Sequence, residues 1–317
     1  MRAIMLHETG GPEGLQLTEV PEPTAGPGQV VIRTEAIGVS FAEASLRAGA
    51  FPMPVPLPAV YGTEAAGVVT ETGEGVDPAL AGRRVAVLSM AMGCYAEYVA
   101  VPAAAVAEIP DGISPADAVA VVNYGAVALC ALRLANLTGE ETVLVEAAAG
   151  GAGGYLTQLA HQLGAKRVIG TAGAQAKRDY ARSIGADEVI DHTDPEWPAA
   201  LGPGSVDVVF DSIGGDTTTR LLPALRPGTG RILVYGFLAG PPSITAIDLV
   251  MGGGTLTGCG GPLWFERVYA ARAEVFELVA AGRLTPRIDS VLPLEEAVEA
   301  HRRFDARAAI GKIILTP

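Results

Sequence analysis

Short apolar runs broken by Gly and Pro dominate the first third of the chain. Val30-Val31-Ile32-Arg33, Gly67-Val68-Val69-Thr70 and Arg84-Val85-Ala86-Val87-Leu88 have the length and side-chain branching of strands. Pro52, Pro54, Pro56 and Pro58 mark an extended loop, because alternate prolines exclude both helix and central strand. Residues 1–119 therefore read as a mainly β domain. From 120 to 261 the rhythm becomes strand, helix, strand, helix. Strands are expected at Val143–Val145, Val168–Gly170, Glu188–Ile190, Val206–Phe210, Arg231–Val234 and Leu256–Thr257. Helical spacing marks Tyr155–Leu163 and Ala176–Ile184, and a Trp- and Pro-bearing connection follows. Such alternation predicts an α/β class with a doubly wound parallel sheet and right-handed crossovers. Segment 262–317 predicts an amphipathic helix (Phe265–Ala281), a strand (Ile288–Leu292), a short helix (Leu294–Phe304) and a last strand (Lys312–Leu315). Its β content points to a return to the first domain.

One junction in this pattern carries chemistry. The run Glu141-Thr142-Val143-Leu144-Val145-Glu146-Ala147-Ala148 enters the cluster Ala149-Gly150-Gly151-Ala152-Gly153-Gly154, and helical spacing resumes at Tyr155. A dinucleotide pyrophosphate needs that order. Glycines let the backbone approach the phosphates, and the first helical turn offers unpaired N–H groups and a positive dipole end. Ala148 stands where the first glycine of the usual fingerprint would be.

Composition narrows the partners. The chain has 317 residues, a formal charge of −13, 49% hydrophobic residues and a mean hydropathy of +0.34, with a sequence pI near 4.8. These values describe a well-buried globular protein with room for two domains. The acidic balance argues against nucleic acid and anionic membrane as partners, because phosphate polymers are repelled at long range. No signal peptide is visible in Met1-Arg2-Ala3-Ile4-Met5-Leu6-His7. The apolar run Val119–Leu132 is interrupted by Asn123, Tyr124 and Gly125 and is shorter than the roughly 20 residues a span needs, so it reads as a buried helix. Cys94, Cys130 and Cys259 are isolated and odd in number, which suits a reduced, cytoplasmic setting.

The order of motifs resembles the zinc-independent quinone oxidoreductases of the medium-chain dehydrogenase/reductase superfamily. The matching pieces span nearly the whole chain: Gly10-Gly11-Pro12-Glu13, Gly26-Pro27-Gly28-Gln29-Val30, Gly62-Thr63-Glu64-Ala65-Ala66-Gly67-Val68-Val69, Tyr95-Ala96-Glu97-Tyr98, the glycine cluster, Val206-Asp207-Val208-Val209-Phe210-Asp211-Ser212-Ile213-Gly214-Gly215 and Gly311-Lys312-Ile313-Ile314-Leu315. The resemblance implies a GroES-like catalytic domain (1–119), an NADP-binding Rossmann domain (120–261) and a return segment (262–317). It further implies NADPH as hydride donor and a homodimer joined through the edge strand near Leu256.

In NAD-specific folds an acid about 20 residues past the glycines bonds the ribose 2′-hydroxyl. Here that region is Gly170-Thr171-Ala172-Gly173-Ala174, without an acid, and Lys177 and Arg178 follow. A 2′-phosphate would meet positive charge, and the family has a lysine at the place of Lys177. Ordinary solvated helix residues are the bland alternative. His192 stands where relatives often have a Tyr near the adenosine phosphate, and it could equally cap a loop. The expected cofactor contacts are thus Ala149, Gly150, Gly151, Ala152, Gly153, Thr171, Lys177, His192, Tyr235, Gly236, Phe237 and Lys312.

No metal is expected. Metal-dependent relatives hold zinc near the motif that here reads Gly62-Thr63-Glu64; Thr63 replaces the His, and Ser40 lies where a Cys would be. The four histidines are scattered, and Glu64 reads as a structural carboxylate. Without a Lewis acid, hydride transfer needs an electron-poor acceptor such as a quinone or an α,β-unsaturated carbonyl, whose developing charge a hydrogen-bond donor can stabilise. The family's polar positions are partly lost: Gly-Val-Asn-x-x-Asp-x-Tyr appears as Gly38-Val39-Ser40-Phe41-Ala42-Glu43-Ala44-Ser45, and Thr-Ala-Tyr as Val127-Ala128-Leu129. Ser40 and Tyr124 are the candidate catalytic donors, with core roles as the alternative. The resemblance also places Phe51, Met53, Met90, Met92 and Trp264 beside the substrate, as an apolar lining. Three functions stay open: an NADPH-dependent reductase of quinones or enones, a tailoring enzyme doing redox-neutral chemistry on a polyketide-like substrate, and a non-catalytic NADPH sensor.

Overall fold

The computed structural model describes residues 1–51, 56–89 and 91–317. Two compact units make up the chain: Met1–Asn123 with Arg272–Pro317, and Tyr124–Ala271. Their borders fall at 123/124 and 271/272, where the sequence pattern suggested 119/120 and 261/262. The first border falls at the break between two helices and the second inside a long helix, and no change in composition marks either.

The first unit opens with β1 (Arg2–Leu6), β2 (Leu15–Glu19), β3 (Gln29–Val39), α1 (Phe41–Arg47), β4 (Ala59–Val60), β5 (Glu64–Thr72), β6 (Arg84–Leu88), β7 (Tyr98–Pro102), β8 (Val106–Glu108) and α2 (Pro115–Val122). The β3–β5 ladder is antiparallel and slips twice, between Val31/Ile32 and Thr34/Ala36, which bends and twists the sheet as bulges do. Ile4, Leu6, Ile32, Ile37, Val85 and Val87 form the heart of its core.

The second unit runs α3 (Tyr124–Ala135), β9 (Glu141–Val145), α4 (Gly151–Ala160), β10 (Ala165–Ala172), α5 (Gln175–Ser183), β11 (Glu188–Asp191), β12 (Val208–Asp211), α6 (Gly215–Leu221), β13 (Arg231–Val234), α7 (Ala246–Gly252) and β14 (Thr255–Gly258). Its six parallel strands take the order β11-β10-β9-β12-β13-β14. Val143–Val145 and Val208–Phe210 are unbroken apolar runs with every residue buried, as strands covered on both faces must be. Strand order reverses between β9 and β12, the place where such sheets bind ligands at their carboxyl ends.

Helix α8 (Pro262–Ala280) carries the chain across the second border. Then β15 (Ile288–Pro293), α9 (Ala297–Asp305) and β16 (Lys312–Thr316) rejoin the first unit, with β16 antiparallel to β3 and parallel to β15.

Two expected elements change on inspection. The run read as one buried helix, Val119–Leu132, is two, α2 and α3, broken at Asn123. Pro115–Ala135 is long and apolar enough to cross a membrane, but 72% of its most apolar window is buried inside the fold. Packing against β3, β5 and β6 accounts for the apolar face of α2. The second change concerns α4, which begins at Gly151 and not at Tyr155. Gly151, Ala152 and Gly153 are thus first-turn helix residues, and a following short 3-10 turn ends at Leu163. Helix propensity disfavours glycine there, but close packing overrides it.

Candidate functional site

The sharp turn after β9 is held by its neighbours on β10. Ala147 adopts a left-handed φ of 50°, rare outside glycine. Its N–H donates to Thr171 Oγ1 at 3.2 Å, and Ala148 N–H donates to Thr171 O at 2.9 Å. Ala148 fits because Gly170 leaves it room: a Cβ on Gly170 would lie 2.7 Å from the Ala148 methyl. The missing fingerprint glycine is therefore compensated on the adjacent strand.

Gly150 caps α4 in extended geometry (φ −83°, ψ −171°) and, as a glycine, offers no side-chain cap to the first-turn N–H groups. Those groups have no acceptor within the helix and carry its positive end. Gly153 is needed for a second reason. A Cβ there would meet Ala147 O at 2.2 Å. Against Gly151 lies the ring of Tyr124, half-exposed at the start of α3, 2.4 Å from where a Cβ would be. One catalytic candidate thus stands directly over the glycine turn.

The other expected cofactor contacts of this unit gather at the same carboxyl edge. Thr171 is the penultimate residue of β10, and its hydroxyl lies 3.3 Å from His192 Nδ1. Tyr235-Gly236-Phe237 follow β13, and their loop packs on the one after β12: a Cβ on Gly236 would lie 2.8 Å from Ser212 O. Lys177 sits half-buried in the first turn of α5. Arg178 is differently used. It donates to Asp191 Oδ2 at 2.5 Å, to Gln175 Oε1 at 2.8 Å and to Gly173 O. An acid does stand at this edge, then, supplied by β11, where Asp191 lies in register with Ala172. The hydroxyl and N–H of Thr193 hold its carboxyl below the ordinary range, with Arg178 contributing less. Sequence reasoning looked for that acid only on β10, so Asp191 was missed.

Lys312, expected among the cofactor contacts, belongs to the first unit. Its ammonium is 2% exposed and donates to Glu64 Oε2 at 2.6 Å, while Asn123 Nδ2 donates to Glu64 Oε1 at 2.8 Å. The structure thus spends the Lys312 charge on a fully buried carboxylate. Glu64 is bonded inside this unit, as its sequence context suggested.

Around Ser40 and Thr63 a second buried carboxyl organises the side chains. Glu43 closes a capping box with Ser40 at the start of α1: Ser40 N–H donates to Glu43 Oε2 at 2.7 Å, and Ser40 Oγ accepts from Glu43 N–H at 3.3 Å. Thr63 gives Glu43 Oε1 both its N–H (2.5 Å) and its hydroxyl (2.8 Å). Tyr95 Oη donates to Glu43 Oε2 at 3.0 Å and lies 3.1 Å from His301 Nε2. Arg47 Nε donates to His301 Nδ1 at 3.2 Å. Arginine can only donate, so His301 carries its proton on Nε2 and the chain runs in one direction, Arg47 to His301 to Tyr95 to Glu43. Burial first, then Glu64, push the Glu43 carboxyl above its ordinary range; burial and Arg47 hold His301 down at about 3. Ser40 and Thr63, at the zinc-ligand places, are thus tied to a carboxyl by hydrogen bonds that use hydroxyl and amide groups, not metal donors. Among the described residues no group of three or more His, Cys, Asp or Glu is placed to hold a metal. Sequence spacing could not have joined Glu43, Tyr95 and His301, which lie on separate elements.

The apolar lining fares unevenly. Met92 and Trp264 are each 7% exposed, so both serve as core, and Phe51 packs against the core of the first unit. Met53 and Met90 lie outside the described residues. Cys94 is buried, and burial followed by Glu43 and Glu64 raises its thiol well above the ordinary value, which removes it as a nucleophile.

Comparison with known proteins agrees with this architecture. Residues 26–111 match the alcohol dehydrogenase GroES-like domain, and residues 184–315 match the zinc-binding dehydrogenase family. The chain is 33% identical to the rat synaptic vesicle membrane protein VAT-1 homolog, over 100% of this chain and 84% of that one. It is 34% identical to a 2-haloacrylate reductase of a Burkholderia species, over 99% and 98% of the two chains. The structure of Escherichia coli quinone oxidoreductase complexed with NADPH superposes with a TM-score of 0.90 at 32% identity, over the full length of both chains.

Proposed function

The chain belongs to the medium-chain dehydrogenase/reductase superfamily, and from that premise we propose that it is a zinc-independent reductase passing hydride from NADPH to a quinone or an α,β-unsaturated carbonyl. The observation that carries this reading is the uncapped start of α4, stationed at the reversal of strand order with Tyr124 over Gly151. Ala149, Gly150, Gly151, Ala152 and Gly153 would hold the pyrophosphate, Thr171 and His192 the adenosine side, Lys177 the 2′-phosphate, and Tyr235, Gly236 and Phe237 the remainder of the coenzyme. Bound NADPH supplies the hydride. Support comes from relatives named as a quinone oxidoreductase with NADPH and a 2-haloacrylate reductase, the latter acting on an activated alkene.

Of the two candidate donors, Tyr124 is the better placed to bond an enolate or hydroquinone oxygen, because Ser40 is 1% exposed and its hydroxyl already caps α1. A homodimer is part of the same proposal. Strand β14 ends the sheet with an unpaired edge, and Ile247, Val250, Met251 and Leu263 lie exposed on the adjoining helices. The three free, buried thiols suit a reduced, cytoplasmic setting.

The test is NADPH consumption with 9,10-phenanthrenequinone and a simple enone. Turnover with either supports a reductase. Substrate conversion without net NADPH loss supports the tailoring reading, and NADPH binding with no turnover on any acceptor supports a sensor.

A further inference from the structure

Two acids flank the reversal of strand order in the second unit. Glu146 follows β9, Asp211 ends β12, and Glu146 N–H donates to Phe210 O at 3.2 Å. Both side chains are 0% exposed. Their surroundings are opposite. Asp211 receives the N–H of Ile213 and of Gly214, each at 2.8 Å, and the Thr218 hydroxyl at 2.5 Å. Neither oxygen of Glu146 has a hydrogen-bond partner.

An ionised carboxylate without donors in a dry interior is too costly to persist. A second buried carboxyl close by adds to that cost, so Glu146, the acid without donors, is the one that keeps a proton. Burial, then Asp211, push the Glu146 carboxyl well above its ordinary range. The nearby backbone N–H groups of Ile213 and Ser212 act in the opposite direction, but less. Tyr235, after β13, has an unsatisfied hydroxyl and is influenced by both acids; Cys259 lies beyond it after β14.

We propose that Glu146 is a positioning residue for the dinucleotide: it keeps its proton, and that neutrality lets the turn at 146–151 lie beside Asp211 while an anionic pyrophosphate rests on the start of α4. This rests on the reading of α4 as the coenzyme site. Loss of the proton would place a negative charge under the turn, beside Asp211 and against the coenzyme. The folded chain binds this proton more tightly than the unfolded chain, so folding stability also falls as pH rises from the ordinary carboxyl range through the raised value.

The experiment compares full-length wild type with Glu146→Gln between pH 6 and 9.5, by NADPH fluorescence titration and by thermal melting without coenzyme. The two proteins are expected to bind NADPH alike at pH 6. Wild type then falls about tenfold behind as Glu146 ionises, and the melting difference widens in the same direction. Parallel profiles in both measurements overturn the proposal, as does a Gln variant that already binds tenfold tighter at pH 6. If wild type binds no NADPH at any pH, the functional reading fails instead, and the melting curves still decide the protonation of Glu146. Glu146→Met, neutral and without an amide to bury, replaces the Gln variant if that does not fold.

Discussion

Gly153→Ala puts a methyl group where backbone already stands. The added Cβ would lie 2.2 Å from Ala147 O, 2.8 Å from Ala147 C and 2.9 Å from Glu146 O. A carbon bearing hydrogen approaches a carbonyl oxygen no closer than about 3.3 Å, so the contact must open by about 1 Å. No flexible side-chain tip is involved. Either α4 lifts from the turn or Ala147 leaves its left-handed conformation. Overpacking of this kind costs about 1–3 kcal/mol, and the better helix propensity of Ala returns up to about 1 kcal/mol. With that return in full, the net stability loss is about 0–2 kcal/mol. Binding suffers more, because the N–H groups aimed at the pyrophosphate move with the helix. Losing one charge-assisted bond is worth about 1.5–3 kcal/mol, roughly 10- to 150-fold in affinity. Fluorescence titration should show NADPH and NADH weakened by the same factor, since both carry the pyrophosphate. Gly150→Ala, whose Cβ would lie 3.1 Å from Ala147 O at an ordinary φ, should do much less. A Gly153→Ala protein that binds NADPH within twofold of wild type and melts no lower refutes the reasoning.

Lys177→Ala should weaken NADPH by about 1–3 kcal/mol in titration while NADH barely moves; equal losses would remove Lys177 from the 2′-phosphate. Lys312→Met removes the charged partner of the buried Glu64 and leaves it the neutral donor Asn123, and breaking such a pair costs about 3–5 kcal/mol. Urea unfolding measures it, and a change below about 1 kcal/mol would mean the pair is not structural. His301 gives a pH signature: at about 3 in the folded protein against 6.5 when free, it binds fewer protons folded than unfolded. The stability it contributes is complete above pH 6.5 and is lost as pH falls toward 3. Melting temperatures from pH 7 to 4 should therefore drop more steeply for wild type than for His301→Gln. Glu43, whose raised carboxyl acts with the opposite sign, is common to both proteins. Equal slopes would contradict the buried neutral imidazole.

Much of this protein follows from local pattern. Apolar β-branched runs and helical spacing placed all six strands of the parallel sheet to within a few residues, because a strand buried on both faces must be continuously apolar. The glycine cluster marked the turn between β9 and α4, where the structure does place a helix start. Replacement of zinc-ligand types at Ser40 and Thr63 was equally visible as a matter of side-chain chemistry. Other features exist only once the chain is folded. The start of α4 at Gly151 depends on contacts with Ala147 and Tyr124 that outweigh helix propensity. Asp191 reaches the carboxyl edge of the sheet because parallel register sets it beside Ala172, and it claims Arg178. Lys312 meets Glu64 across 248 residues, and His301 meets Arg47 across 254. Burial and long-range pairing determine what a charged side chain does, and neither is a property of its neighbours in sequence.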